Sequence, residues 1–426
     1  MQLNKSKTLI ENINLDKMKI IDFIKIMGKH EDPKTFCTAE FIKELSNGKF
    51  ISGGTDCKLK IYNENFGEEE DEKIKVIDNI KEWTYNICEK TNFKEKKDNI
   101  IQFIVCSNKE IYLTDVSFDS NEKYIKPYKY ELPENACTNC IEMKNNSFAM
   151  IGLNGSCYFA ELFNKESKKL AKNVIINKTY RGGIRIKDNI LALTSNSVAI
   201  NGEDALIFYN HDKKTKKNRE SRISSKIENF SFTFNCNGLA LMPKDENKKN
   251  RILLCACKKY LSHQKNGILL VNPQLEDNHE VIDPFYDTKD FEVYCFCPIF
   301  ELDPGNKVLY NEKAIQLVDT EYFFVGGFDT RTREGKIKLY KVIFAERAYN
   351  TKIKYLQDIE IQKSDILSKP DNEIFEGFDG AISSIIQSKY KGNILVSCYD
   401  GKIYLFSKPN LEYYKNKYNK EKKNIK

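Results

Sequence analysis

The stretch Phe50-Ile51-Ser52-Gly53-Gly54-Thr55-Asp56-Cys57-Lys58-Leu59-Lys60-Ile61-Tyr62-Asn63 is an apolar β-run, a small-residue end, an Asp-containing tight turn and an alternating second run. That order specifies a β-hairpin. It recurs as Ile394-Leu395-Val396-Ser397-Cys398-Tyr399-Asp400-Gly401-Lys402-Ile403-Tyr404-Leu405-Phe406. A third copy runs from Phe323-Phe324-Val325-Gly326-Gly327-Phe328-Asp329 into Gly335-Lys336-Ile337-Lys338-Leu339-Tyr340. A hairpin written three times makes the chain a repeat array.

Working outward, seven units can be marked, each with three clear strands and a more variable fourth. They span 35–77, 83–116, 136–162, 183–209, 230–271, 293–361 and 381–406. The third contains Asn154-Gly155 between alternating runs, a strong hairpin signal because both residues tolerate positive φ. In the fourth, strands are expected at Gly183–Ile186, Ile190–Thr194 and Ala205–Tyr209, followed by a basic insertion from Asp212 to Lys226. The seventh unit ends before its fourth strand, whereas an unpartnered strand at Lys19–Ile26 precedes the first. Open sheet edges are costly, so donation of the leading strand to the last unit is expected to close a ring. The expected fold is all-β: a seven-bladed β-propeller of four-stranded antiparallel blades, closed by the N-terminal strand pairing with the last blade. The expected division is a flexible lead-in over 1–17, the propeller over 18–408, and a basic tail over 409–426 with a short helix placing Leu411, Tyr414 and Tyr418 on one face.

These units resemble the WD40-type propeller family. The resemblance rests on Ser52-Gly53-Gly54, Asp56 and Lys58 to Asn63; on Gly326 to Asp329 with Lys338-Leu339-Tyr340; and on Ser397 to Phe406. It is strong in the first, sixth and seventh units, and implies an aromatic closing the third strand where Tyr62, Tyr209, Tyr340 and Phe406 stand. The chain departs from the family in lacking Trp-Asp and Gly-His pairs; its one tryptophan, Trp83, is not at a third-strand end, and its four histidines are scattered. The family's buried Asp-His-Ser-Trp network is therefore not expected. Asp56, Asp329 and Asp400 are expected to satisfy their own turns.

Composition narrows function by exclusion. At 41% hydrophobic and 12% aromatic residues the chain can bury a large core and is not a disordered polymer. No run approaches the ~18 apolar residues of a membrane span, and Met1 to Lys19 lack the apolar core of a secretory signal. The charge of +7 on 68 basic and 61 acidic residues is mild and local. Thirteen cysteines without a signal read as reduced thiols, and a cytoplasmic location is expected, with the nucleus as the alternative. Cys137-x-x-Cys140 has half of a zinc spacing and no second half; cysteines on inner strands act as small hydrophobes. No metal or cofactor is expected, and no nucleophile-elbow, Walker or His-Glu-x-x-His pattern exists.

The function implied is a non-enzymatic, monomeric protein-interaction scaffold, with Arg181, Arg331 and Arg333 as candidate partner-binding residues. The rival reading is a phosphoinositide or RNA surface binder. It would use Lys213, Lys214, Lys216, Lys217 and Arg219 together with the lysine-rich tail.

Overall fold

The computed structural model describes residues 19–62, 75–78, 80, 82–89, 100–107, 111–117, 128–130, 137–143, 147–152, 156–161, 177–178, 189–192, 197–201, 205–212, 217–224, 226–227, 230–242, 252–260, 264–272, 281–302, 317–344, 351–359 and 377–417. Their strands form seven antiparallel sheets, six four-stranded and one five-stranded. In chain order the first sheet holds Ala39–Glu44, Phe50–Gly54, Leu59–Tyr62 and Lys75–Ile77. The sixth holds Phe291–Leu302, Leu317–Asp329, Glu334–Ile343 and Lys352–Asp358. The seventh holds Ile382–Gln387, Ile394–Cys398 and Lys402–Phe406, and takes Phe23–Lys29 as its outermost strand. In that last pairing Phe23 faces Phe406, Ile26 faces Tyr404 and Lys29 faces Lys402. The chain's two described ends thus share one sheet.

Burial is most complete on the second strands and least on the outermost. Phe50–Gly54 and Ile394–Cys398 are buried at every position, whereas the outermost Phe23–Lys29 and Lys352–Asp358 are mostly half-buried or exposed. A strand covered on both faces reads as a continuous apolar run, and one at the flank does not. The apolar core is correspondingly layered between neighbouring sheets. Phe41, Ile51 and Ile61 pack on Ile87, Phe103 and Val105 of the second sheet. Ile42 and Tyr62 pack on Leu395 and Ile403 of the seventh, and Cys297 and Phe324 join Ile382 and Val396 between the sixth and seventh. First strands lie beside first strands, with Phe230–Met242 taking that place in the five-stranded sheet, and Ile382–Gln387 lies beside Ala39–Glu44. Across that contact Ser383 Oγ donates to Ala39 O at 2.6 Å.

The fourth sheet corrects the sequence reading. Its strands are Asn189–Ala192, Ser197–Asn201, Ala205–Asp212 and Lys217–Ser224. The segment expected as a basic insertion over 212–226 is in large part a strand, with Arg219 opposite Asn210 and Lys217 opposite Asp212. Its charged residues concealed a period that a neighbouring strand's hydrogen bonds override. The expected first strand at 183–186 lies outside the described residues.

A short helix at 412–417 follows the last strand. Leu411 and Tyr414 are buried with Ile20, Ile21 and Phe23 in the layer between the last two sheets. Tyr414 Oη donates to Gln357 Oε1 at 2.5 Å, and Lys415 pairs with Glu301. Backbone bonds from Asn410 N to Ile20 O and from Ser407 N to Asp22 O tie this segment to the leading strand. Tyr418 and the lead-in lie outside the described residues.

Candidate functional site

The strand directions give the molecule two rims. The upper rim carries the loops entering first strands and the turns after second strands: 30–38, 55–58, 330–333 and 399–401. It is continuous from the sixth sheet to the second through backbone and side-chain bonds. Gly335 N donates to Phe378 O at 3.2 Å, Tyr399 N to Ala381 O at 2.9 Å and His30 N to Gly401 O at 2.7 Å; Thr84 Oγ1 donates to Gly54 O at 3.2 Å.

The lower rim carries the turns after first strands, and there polar groups bond across sheet boundaries. Glu44 accepts from Ser388 Oγ at 3.0 Å and Lys389 N at 2.8 Å, while Tyr390 Oη donates to Ser46 O at 2.8 Å. Glu89 accepts from Ser46 N at 2.8 Å, and Gln387 both accepts from Phe300 N (2.9 Å) and donates to Phe300 O (3.1 Å). These groups are satisfied by the fold itself.

Behind the upper rim of the first sheet lies a buried network absent from the sequence expectation. His30 Nδ1 meets Asp56 Oδ1 at 2.8 Å and Nε2 meets Ser52 Oγ at 2.7 Å; Ser52 Oγ meets Tyr62 Oη at 3.0 Å. A carboxylate only accepts, so Nδ1 is the donor to Asp56. Burial pushes the Tyr62 phenol above its ordinary range, so it stays protonated. Asp56 also accepts from Lys58 N at 3.2 Å, so the expected turn role is present alongside the network. The correction concerns His30 and Ser52. His30 arrives from the loop before the first sheet, following Gly28-Lys29, and Tyr62 stands at the aromatic end of the third strand. That spacing was the available signal; a search for an adjacent Gly-His pair passes over it.

The equivalent aspartates of the sixth and seventh sheets use other partners. Asp329 accepts from Arg331 N at 3.0 Å, Thr332 N at 3.1 Å and Lys336 Nζ at 2.7 Å. Burial alone would raise its carboxyl, but the Lys336 ammonium and the two backbone donors hold it below the usual range. Asp400 accepts from Lys402 N at 2.8 Å and from the Tyr404 hydroxyl.

Of the residues singled out in sequence, Arg331 and Arg333 are exposed on the 330–333 turn. Arg333 is in the left-handed region at φ 60°, and its N donates to Asp329 O at 2.8 Å. Neither guanidinium has an ion-pair partner among the described residues. Arg181, Lys213, Lys214 and Lys216 lie outside the described residues, and Lys217 and Arg219 belong to the paired strand of the fourth sheet. Arg331 and Arg333 thus share one turn of the sixth sheet, while Lys217 and Arg219 share one strand of the fourth. Among the described residues no group of three His, Cys, Asp or Glu side chains is placed to hold a metal ion, and Cys255, Cys257, Cys295, Cys297 and Cys398 are buried.

Sequence reasoning missed two upper-rim residues, Phe36 and Trp83, which are 76% and 48% exposed. Each immediately precedes or begins an apolar run, so periodicity assigns it to the core; its outward direction is set by the loop backbone.

The fold is similar to that of the solved WD40 repeats of RRP9, with a TM-score of 0.55 and 8% sequence identity, covering 92% of this chain and 100% of that one. At that identity the likeness concerns architecture alone. No family profile matches the chain, and no curated protein matches its sequence. The architecture is thus all-β, built mostly of four-stranded antiparallel sheets, and like that of WD40 propellers.

Proposed function

We propose that the seven sheets are the blades of one closed, divergent WD40-like propeller, and that it acts as a non-enzymatic platform binding a partner protein on its upper rim. The observation that carries this reading is the upper-rim turn 330–333, where Arg331 and Arg333 are exposed, without an ion-pair partner among the described residues, on a turn fixed by Asp329. A rigid turn presents both arginines without the cost of ordering a loop, and arginine is favoured where interfaces concentrate their energy.

Affinity capture by the full chain at low and at elevated salt tests the proposal. A partner held by an arginine-and-aromatic surface is retained at both, and capture falls at least about tenfold for Arg331→Ala with Arg333→Ala, equivalent to about 1.4 kcal/mol. Binding that collapses between about 50 and 200 mM salt, and ignores both arginines, would overturn it in favour of an anionic surface read by lysines.

A further inference from the structure

Six large apolar side chains are exposed among the described residues. Four of them, Ile24, Val76, Ile343 and Tyr355, lie on strands. Phe36 and Trp83 instead lie on upper-rim loops, and aromatic side chains are enriched at protein interfaces. Their loops are held in place around the first sheet's turn. Thr38 N donates to Thr55 Oγ1 at 2.9 Å and Thr55 N to Thr38 O at 3.1 Å, fastening the loop of Phe36 on one side. Thr84 Oγ1, next to Trp83, donates to Gly54 O at 3.2 Å on the other.

The turn between them is acidic in character. Asp32 is exposed on the loop of Phe36, Glu82 adjoins Trp83, and Asp56 lies in the turn. Burial pushes the Cys57 thiol up, and Asp56, Glu82, Cys37 and Asp32 push it further the same way. Lys34 and Lys58 border the turn, and the carboxylates that act on the Cys57 thiol come from both sides of it, Asp32 from the loop of Phe36 and Glu82 from beside Trp83.

We propose that this patch, Phe36 and Trp83 on either side of the 55–58 turn with Asp32 and Glu82 beside them, docks a segment of a partner protein presenting arginine or lysine next to an apolar residue. The cation lies over the Trp83 indole, the best aromatic acceptor of positive charge, and the apolar neighbour covers Phe36. This rests on the upper rim being the binding face, and it names the chemistry one part of that face accepts.

Trp83 is the only tryptophan in the chain, so its emission reports on the patch alone. The full chain is titrated with a glycine–serine peptide carrying a central Arg-Leu-Lys, and with its charge-reversed Glu-Leu-Glu version. The cationic peptide is expected to change Trp83 emission with affinity at least about tenfold tighter than the anionic one. Phe36→Ala and the pair Asp32→Asn with Glu82→Gln are each expected to reduce that preference severalfold. Equal responses, an anionic preference, or no response would overturn the inference. So would an emission change on concentrating the protein without peptide, which would assign the patch to a second copy. Loss of capture by Arg331→Ala with Arg333→Ala, combined with no peptide response, would remove this inference while leaving the binding face in place.

Discussion

Replacing His30 by alanine removes the centre of the buried network. The imidazole is 1% exposed and joins Asp56 at 2.8 Å to Ser52 at 2.7 Å. Losing a hydrogen bond to a carboxylate costs about 1.5–3 kcal/mol and losing a neutral one about 1 kcal/mol. The space left by the ring adds to this, so His30→Ala should destabilise by about 3–5 kcal/mol, a large share of a typical domain's 5–15 kcal/mol. Tyr62→Phe removes the hydroxyl that meets Ser52 Oγ at 3.0 Å, and should cost about 1 kcal/mol. Urea unfolding of wild type, His30→Ala, Asp56→Ala and the double variant gives the coupling directly. Groups acting as one network should be non-additive by about 1–3 kcal/mol, with midpoints moving at an unchanged slope. Additivity within about 0.5 kcal/mol, or a His30→Ala loss below about 1 kcal/mol, would refute the network's role.

Gly401 has φ 85°, and a Cβ there would stand 2.6 Å from His30 O and 2.9 Å from Cys37 O. Gly401→Ala should therefore destabilise by about 2–4 kcal/mol, read as a fall in the urea midpoint. Asp329 has its carboxyl held low, so the stability it contributes is present above the unfolded carboxylate range near pH 4 and is lost as pH falls through the folded value. Asp329→Asn should flatten the acid limb of the stability curve; an unchanged limb would count against the Lys336 pairing. Leu411→Ala strips a buried side chain from the layer shared with Ile20 and Phe23 and should cost about 2–4 kcal/mol, whereas Tyr414→Phe should cost about 1 kcal/mol through its bond to Gln357.

The sheets were most legible where the turn chemistry is explicit. Asp56, Asp329 and Asp400 mark tight turns, and the buried runs beside them are continuous and apolar, so the first, sixth and seventh sheets could be read from local pattern. Reading failed where charge sits on a paired strand, as at Lys217–Ser224, because main-chain pairing to Ala205–Asp212 is a non-local cause. The network around His30 was hidden for a related reason: His30 belongs to the loop before its sheet, and only folding brings it to Asp56. The candidate site was half legible. Arg331 and Arg333 announce themselves as charges in a turn, whereas the exposure of Phe36 and Trp83 follows from backbone direction that residue type does not encode.

The central claim is that the chain's leading strand completes its last sheet. Lys29 and Lys402 are direct partners across that pairing, so a short amine-reactive cross-linker followed by peptide mass spectrometry tests it on the unmodified protein. An equal mixture of isotopically light and heavy chains separates links within a molecule from links between molecules. The account predicts a Lys29–Lys402 link that joins light to light and heavy to heavy. Lys29 linked only to lysines elsewhere, or a link formed equally between light and heavy chains, would contradict it.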